Sequence, residues 1–67
     1  MDIDKLKIGA EIGNPEAQFA LGMAYYNGDG MPQSYGEAFK WLSLAAEQGH
    51  AEAQHNLAVM YEKGQGC

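Results

Sequence analysis

The 67-residue sequence predicts an all-α protein of about four helices arranged as antiparallel hairpins, and three observations carry that prediction. The first is internal repetition. Gly13-Asn14-Pro15-Glu16-Ala17-Gln18 returns as Gly49-His50-Ala51-Glu52-Ala53-Gln54, 36 residues later, and the same offset pairs Ala10 with Ala46, Leu21 with Leu57, Tyr25 with Tyr61, Gly28 with Gly64 and Gly30 with Gly66. A fixed period of about 20 to 50 residues marks a repeat array, in which each unit buries its apolar face on the next. The second is apolar spacing at i, i+3, i+4 and i+7, the period of a helix. The third is the regular recurrence of helix start and stop signals between those stripes.

The first helix spans about residues 2 to 12, with Ile3, Leu6 and Ala10 at helical spacing and Gly9 weakening it. Shifted by the repeat, it stands where the helix around Trp41 stands, with Lys5 in the tryptophan position. It reads as a degenerate second helix that caps the first full repeat. Gly13 suits its C-terminal turn. Asn14-Pro15-Glu16 then opens a helix over about 15 to 27: Asn14 can accept an orphan backbone N–H, Pro15 fits the first turn, and Glu16 faces the positive end of the dipole.

That second helix carries two stripes, Gln18, Leu21, Gly22 and Tyr25 on one face and Phe19, Met23 and Tyr26 on another. Gly22 inside a helix implies close approach of a neighbour, and its counterpart Ala58 is also small. Asn27 to Gln33 reads as a turn. Ser34-Tyr35-Gly36-Glu37 matches a capping box that opens a third helix, ending near Gln48. Ala38, Trp41, Leu42, Ala45 and Ala46 form its apolar stripe, with Trp41 expected to fill the space between helices, so that Trp41→Ala would cost about 3 to 5 kcal/mol. A fourth helix restarts at Ala51 with Ala53, Leu57, Met60 and Tyr61 facing inward.

Composition narrows the function. Nine carboxylates against four lysines give a net charge of -5, which repels phosphate backbones and disfavours direct nucleic-acid binding. A protein partner with a basic surface fits that charge better. One cysteine, Cys67, excludes an internal disulfide. No apolar run approaches the length of a membrane span and the start lacks the features of a signal peptide, so a soluble cytoplasmic protein is expected.

Ala17-Gln18, Leu21-Gly22, Tyr25, Gly28-x-Gly30, Ala38, Trp41, Ala45-Ala46 and Gly49 resemble the Sel1-like repeat, a relative of the tetratricopeptide repeat. The resemblance divides the chain into residues 1–13, a partial capping repeat, 14–49, a full repeat, and 50–67, the first half of another. Ser34, Met31, Cys67 and Lys5 depart from the family's pattern. The resemblance implies an α-solenoid of paired helices whose first helices line a concave surface, and an adaptor or scaffold, not an enzyme. Carried over by position, the concave side holds Glu16, Phe19, Met23, Tyr26 and Asn27 together with Glu52, His55, Val59, Glu62 and Lys63.

The partner-binding candidates are therefore Phe19, Met23, Tyr26, Asn27, His55, Val59 and Glu62, since aromatics and methionine suit interface centres. The competing reading has the first helix covering Phe19 and Met23 through Leu6, Ile8 and Ile12. Gln18 and Gln54 are expected to be buried amides that bond a loop carbonyl between repeats. The half repeat at the C-terminal end leaves Leu57, Met60 and Tyr61 as open-edge candidates, to be covered by a partner's helix, a longer parent chain, or a second copy forming a homodimer.

No catalytic constellation, cofactor site or metal site is expected. His50 and His55 diverge by about 140 degrees on a helix, and Cys67 follows two glycines. Gly28-Asp29-Gly30 lacks the lysine and the preceding strand of a phosphate loop. A second functional reading takes the carboxylates as an acidic mimic, with the chain a stand-alone inhibitor masking a basic surface of a nucleic-acid-handling protein. Apolar docking survives added salt, whereas mimicry weakens with it.

Overall fold

In the computed structural model, which describes residues 2–66, the chain forms α1 (Ile3–Glu11), α2 (Pro15–Asn27), α3 (Tyr35–Glu47) and α4 (Ala51–Lys63). Each helix packs on the next, α1 on α2, α2 on α3 and α3 on α4, in a flattened body of 30 × 26 × 14 Å. No strand forms among the described residues. The helix bounds agree with the sequence expectation to within a residue or two, because each boundary is set by local chemistry that the sequence displays.

Asn14 Oδ1 accepts the Glu16 and Ala17 N–H groups at 2.9 and 3.2 Å, and Asp2 caps α1 through the Lys5 N–H. The capping box at α3 is only half made. Ser34 Oγ accepts the Glu37 N–H at 3.2 Å, but the Ser34 N–H donates to the Tyr25 carbonyl at 3.0 Å and leaves the Glu37 carboxylate without that role. The hairpin itself supplies the acceptor that the carboxylate was expected to offer.

The repeat extends to individual hydrogen bonds. The Asn14 N–H donates to the Gly9 carbonyl, and the His50 N–H to the Ala45 carbonyl, 36 positions on; Asp29 N–H to Ala24 is matched by Gln65 N–H to Met60. Gln18 Nε2 donates to the Ala10 carbonyl at 3.1 Å, and Gln54 Nε2 to the Ala46 carbonyl at 3.1 Å. These amides tie the first helix of each repeat to the one before it as expected, except that the acceptors are carbonyls in the last turn of a helix and not of a loop, because those carbonyls lack a full set of intrahelical partners. Gln18 is buried and also accepts from Gln48 Nε2 at 2.8 Å, whereas Gln54 is exposed. We expect Gln18→Leu to cost about 1 to 3 kcal/mol, because it removes two hydrogen bonds at once, leaving the Ala10 carbonyl with the Gly13 N–H alone and Gln48 Nε2 without its acceptor. Gln54→Leu should cost well under about 1 kcal/mol because water replaces the amide. Urea titration of the two variants followed by circular dichroism checks the ordering; equal losses would count against it.

The core is built from small residues. Ala38, Leu42, Ala45, Ala53 and Met60 form a fully buried cluster across α3 and α4, and Ala10 of α1 and Leu21 and Ala24 of α2 are buried as well. Only Leu21, Leu42 and Met60 are large and fully enclosed. Alanine and glycine at the contacts let the helix axes come close, and Gly22 is the extreme case. A Cβ placed there would lie 2.9 Å from Leu42 Cγ, inside van der Waals contact. Trp41 is half-buried, not central, and Lys40 Nζ sits 4.7 Å from the centre of its ring. The interhelical space expected to hold the indole is closed by Leu42 against Gly22.

Candidate protein-interaction surfaces

The seven partner-binding candidates separate into three environments. Phe19 and Tyr26 lie half-buried in the seam between α2 and the α4 repeat. The Phe19 ring stacks on His50 at 4.7 Å between centroids, and the Tyr26 hydroxyl donates to Gln65 Oε1 at 2.8 Å while its ring lies 5.2 Å from Tyr35. Both rings, like Met23, pack against the core cluster, and their contacts with His50 and Gln65 make these two part of the repeat-to-repeat seam. Of the residues the competing reading set over Phe19 and Met23, Ile8 and Ile12 are 62% and 79% exposed and Leu6 is half-buried, and the ring found on Phe19 is that of His50.

Met23 and Asn27 occupy the next sector of α2, shared with Glu16. Met23 is half-buried, one side of it against the core cluster, and the two polar residues are exposed. Their repeat counterparts on α4 are Val59, half-buried, with Glu52 and Lys63, exposed. The remaining candidates, His55 and Glu62, are exposed on α4 at the positions that Phe19 and Tyr26 hold on α2.

The open-edge candidates divide as well. Met60 is 1% exposed and belongs to the core, because α3 covers its side of α4; it is not an edge residue. Tyr61 is 61% exposed, its ring edge against Phe39 at 5.2 Å, and so does not face inward. Leu57 is half-buried.

His50 has a role that a search for metal ligands passes over. Its Nδ1 accepts the Ala53 N–H at 3.1 Å, capping α4, while the ring face covers Phe19. The signal was present in the repeat, since His50 is the counterpart of Asn14. Gln65 and Tyr35, the partners of Tyr26, carry no such signal. Cys67, weighed with the histidines as a ligand, lies outside the described residues, among which no three of His, Cys, Asp and Glu come together to hold a metal. Every buried side-chain nitrogen and oxygen among the described residues has a hydrogen-bond partner. No described helix is long and apolar enough to cross a membrane.

No curated protein matches the chain. A family model for the Sel1 repeat matches residues 15–50 and again 51–67, the second match beginning 36 residues after the first, at the period read from the sequence and repeated in the hydrogen bonds. Repeats of this family mediate protein–protein interaction and are not catalytic. With that match covering most of its length, the chain belongs to the Sel1 repeat family.

Proposed function

We propose that the chain is an adaptor or scaffold module that binds a protein segment across the sector formed by Met23 and Asn27 of α2 and Val59 of α4. The observation that carries this reading is the equivalence of Met23 and Val59. They are 36 residues apart, both apolar, both half-buried, and both flanked by exposed polar residues at matching positions. Phe19 and Tyr26, by contrast, are engaged within the fold. A flexible methionine on one repeat and a valine at the equivalent place on the next offer adaptable apolar contacts. Glu16 and Glu52 flank it, and with a net charge of -5 they favour a segment that carries basic residues around an apolar anchor. The single cysteine is compatible with a cytoplasmic setting.

The test is affinity capture with the intact chain and with Asn27→Arg and Val59→Glu. Asn27 is exposed, so its replacement is expected to leave the fold in place. A partner held at about 0.5 M salt by the parent chain, where screening reaches within a few ångströms, and lost from both variants is the expected result. A partner retained equally by both variants overturns the assignment. Loss from the parent chain on raising the salt would favour the acidic mimic instead.

A further inference from the structure

The geometry points to a head-to-tail self-association, in which α1 of one copy lies on α4 of the next as α3 lies on α2 within a single chain. By the 36-residue period α1 is the same kind of helix as α3, and α4 the same kind as α2. Their packing shows this. Gly9 of α1 approaches Ala17 of α2, a Cβ there lying 2.9 Å from the Ala17 Cβ, and the equivalent pair, Ala45 and Ala53, is fully buried between α3 and α4. A Cβ on Gly30 would meet Ile3 at 3.0 Å, and one on the equivalent Gly66 would meet Phe39 at 3.1 Å. One of the fold's two kinds of helix contact, that of α1 on α2, thus recurs as α3 on α4.

The other kind, α2 against α3, occurs once among the described residues. It buries Gln18, Leu21 and Gly22, and seats Leu42 over Gly22. On α4 the corresponding stripe is open: Gln54 and Ala58 are exposed, Leu57 is half-buried, and Tyr61 is 61% exposed. On α1 the corresponding surface is open too. Leu6, at the place of the fully buried Leu42, is half-buried, and Ile12, at the place of Gln48, is 79% exposed. Each open face is the complement that the fold already uses for the other. In the assembly Leu6 of one copy covers Ala58 of its neighbour and Ile12 covers Gln54, the site that Gln48 takes on Gln18 within the chain. Such an interface is heterologous, joining two different surfaces, and it leaves both outer faces free to add further copies.

Charge opposes the contact. Each copy carries -5, and Asp2 takes the place of Ala38 in the new seam. Association therefore strengthens between about 0.01 and 0.15 M salt, as the screening length falls from about 30 to about 8 Å. Asp2→Asn, which keeps the cap on the Lys5 N–H, tightens it by more than Glu47→Gln does.

Sedimentation equilibrium of the 67-residue chain tests this directly. The expected result is a mass that climbs past the dimer over concentrations on the order of 10 µM to 1 mM, the range of a small interface. Ala58→Glu and Ile12→Lys, both at exposed positions, are each expected to remain monomeric alone, yet to form a one-to-one dimer when mixed, since each retains the face that the other lacks. A monomer at every concentration overturns the proposal. So does a mass that stops at the dimer and is indifferent to Ile12→Lys, the behaviour of a two-fold pairing of α4 with itself.

Discussion

Leu42→Ala is expected to leave the chain largely unfolded at room temperature. Leu42 is fully buried, lies over Gly22, and belongs to the cluster that joins α3 to α4. Truncating a buried leucine costs about 2 to 5 kcal/mol, the loss of transfer energy plus the cavity left behind. Gly22, Ala38 and Ala45 around it have no side chain that can refill the space, and Met60 of the same cluster can fill it only in part. A single core of this size rarely supplies more than about 3 to 5 kcal/mol in total, so one such substitution consumes most of the stability. Trp41→Ala is expected to cost less, about 1 to 3 kcal/mol, since the indole is only half-buried and the exposed Lys40 side chain lies over its ring. Urea unfolding of both variants, followed by far-ultraviolet circular dichroism, gives the comparison. A folded Leu42→Ala beside an unfolded Trp41→Ala would restore the tryptophan to the centre of the core.

The contrast between Trp41 and Leu42 shows what the sequence displays and what it withholds. Both lie on the apolar stripe of α3, and periodicity says that the stripe is buried without saying how far apart the helices stand. That distance depends on Gly22 and on the Ala45–Ala53 contact, which bring the helices too close for an indole between them. The helix bounds were legible because Asn14, Pro15, Ser34 and the glycines after each helix act within a few residues. Gly13 and Gly49 both adopt positive φ, at 100° and 87°, as a turn after a helix requires. The exchange of glutamine amides for carbonyls was legible because it recurs at the same offset.

The interaction surface was legible only in part, for a related reason. A stripe at Phe19, Met23 and Tyr26 is compatible with a free face or with a seam between repeats. Which one holds depends on groups distant in sequence, His50 against Phe19 and Gln65 against Tyr26. Met23 and Val59 are left as the apolar pair common to both repeats. Met60 and Tyr61 make the same point at the other end: adjacent in sequence, they are separated by one helical step, and α3 covers the first while the second stays 61% exposed.

Gly22→Val is expected to destabilise the chain by about 2 to 3 kcal/mol, even though valine is intrinsically the better helix former. The Cβ alone would stand 2.9 Å from Leu42 Cγ, 3.1 Å from its Cδ2 and 3.3 Å from its backbone N, and the two methyl groups of valine extend further in the same crowded region. Leu42 has no room to retreat, being fully buried. The penalty should therefore belong to the pair and not to position 22 itself. In a chain that already carries Leu42→Ala, the added valine enters the cavity left by the leucine, and Gly22→Val should become neutral or stabilising. The double-mutant cycle is then expected to give a coupling of about 2 kcal/mol, with the double variant more stable than the sum of its singles. If Leu42→Ala is too unstable to measure, the cycle can be run with Leu42→Val, which opens less space and should return a smaller coupling of the same sign. Additive losses would mean that α2 and α3 can move apart to admit a side chain at position 22. The same substitution on the other repeat, Ala58→Val, meets no such neighbour, because Ala58 is exposed, and should change stability by less than about 0.5 kcal/mol. The difference between these two equivalent positions measures what packing α3 onto α2 demands of the sequence.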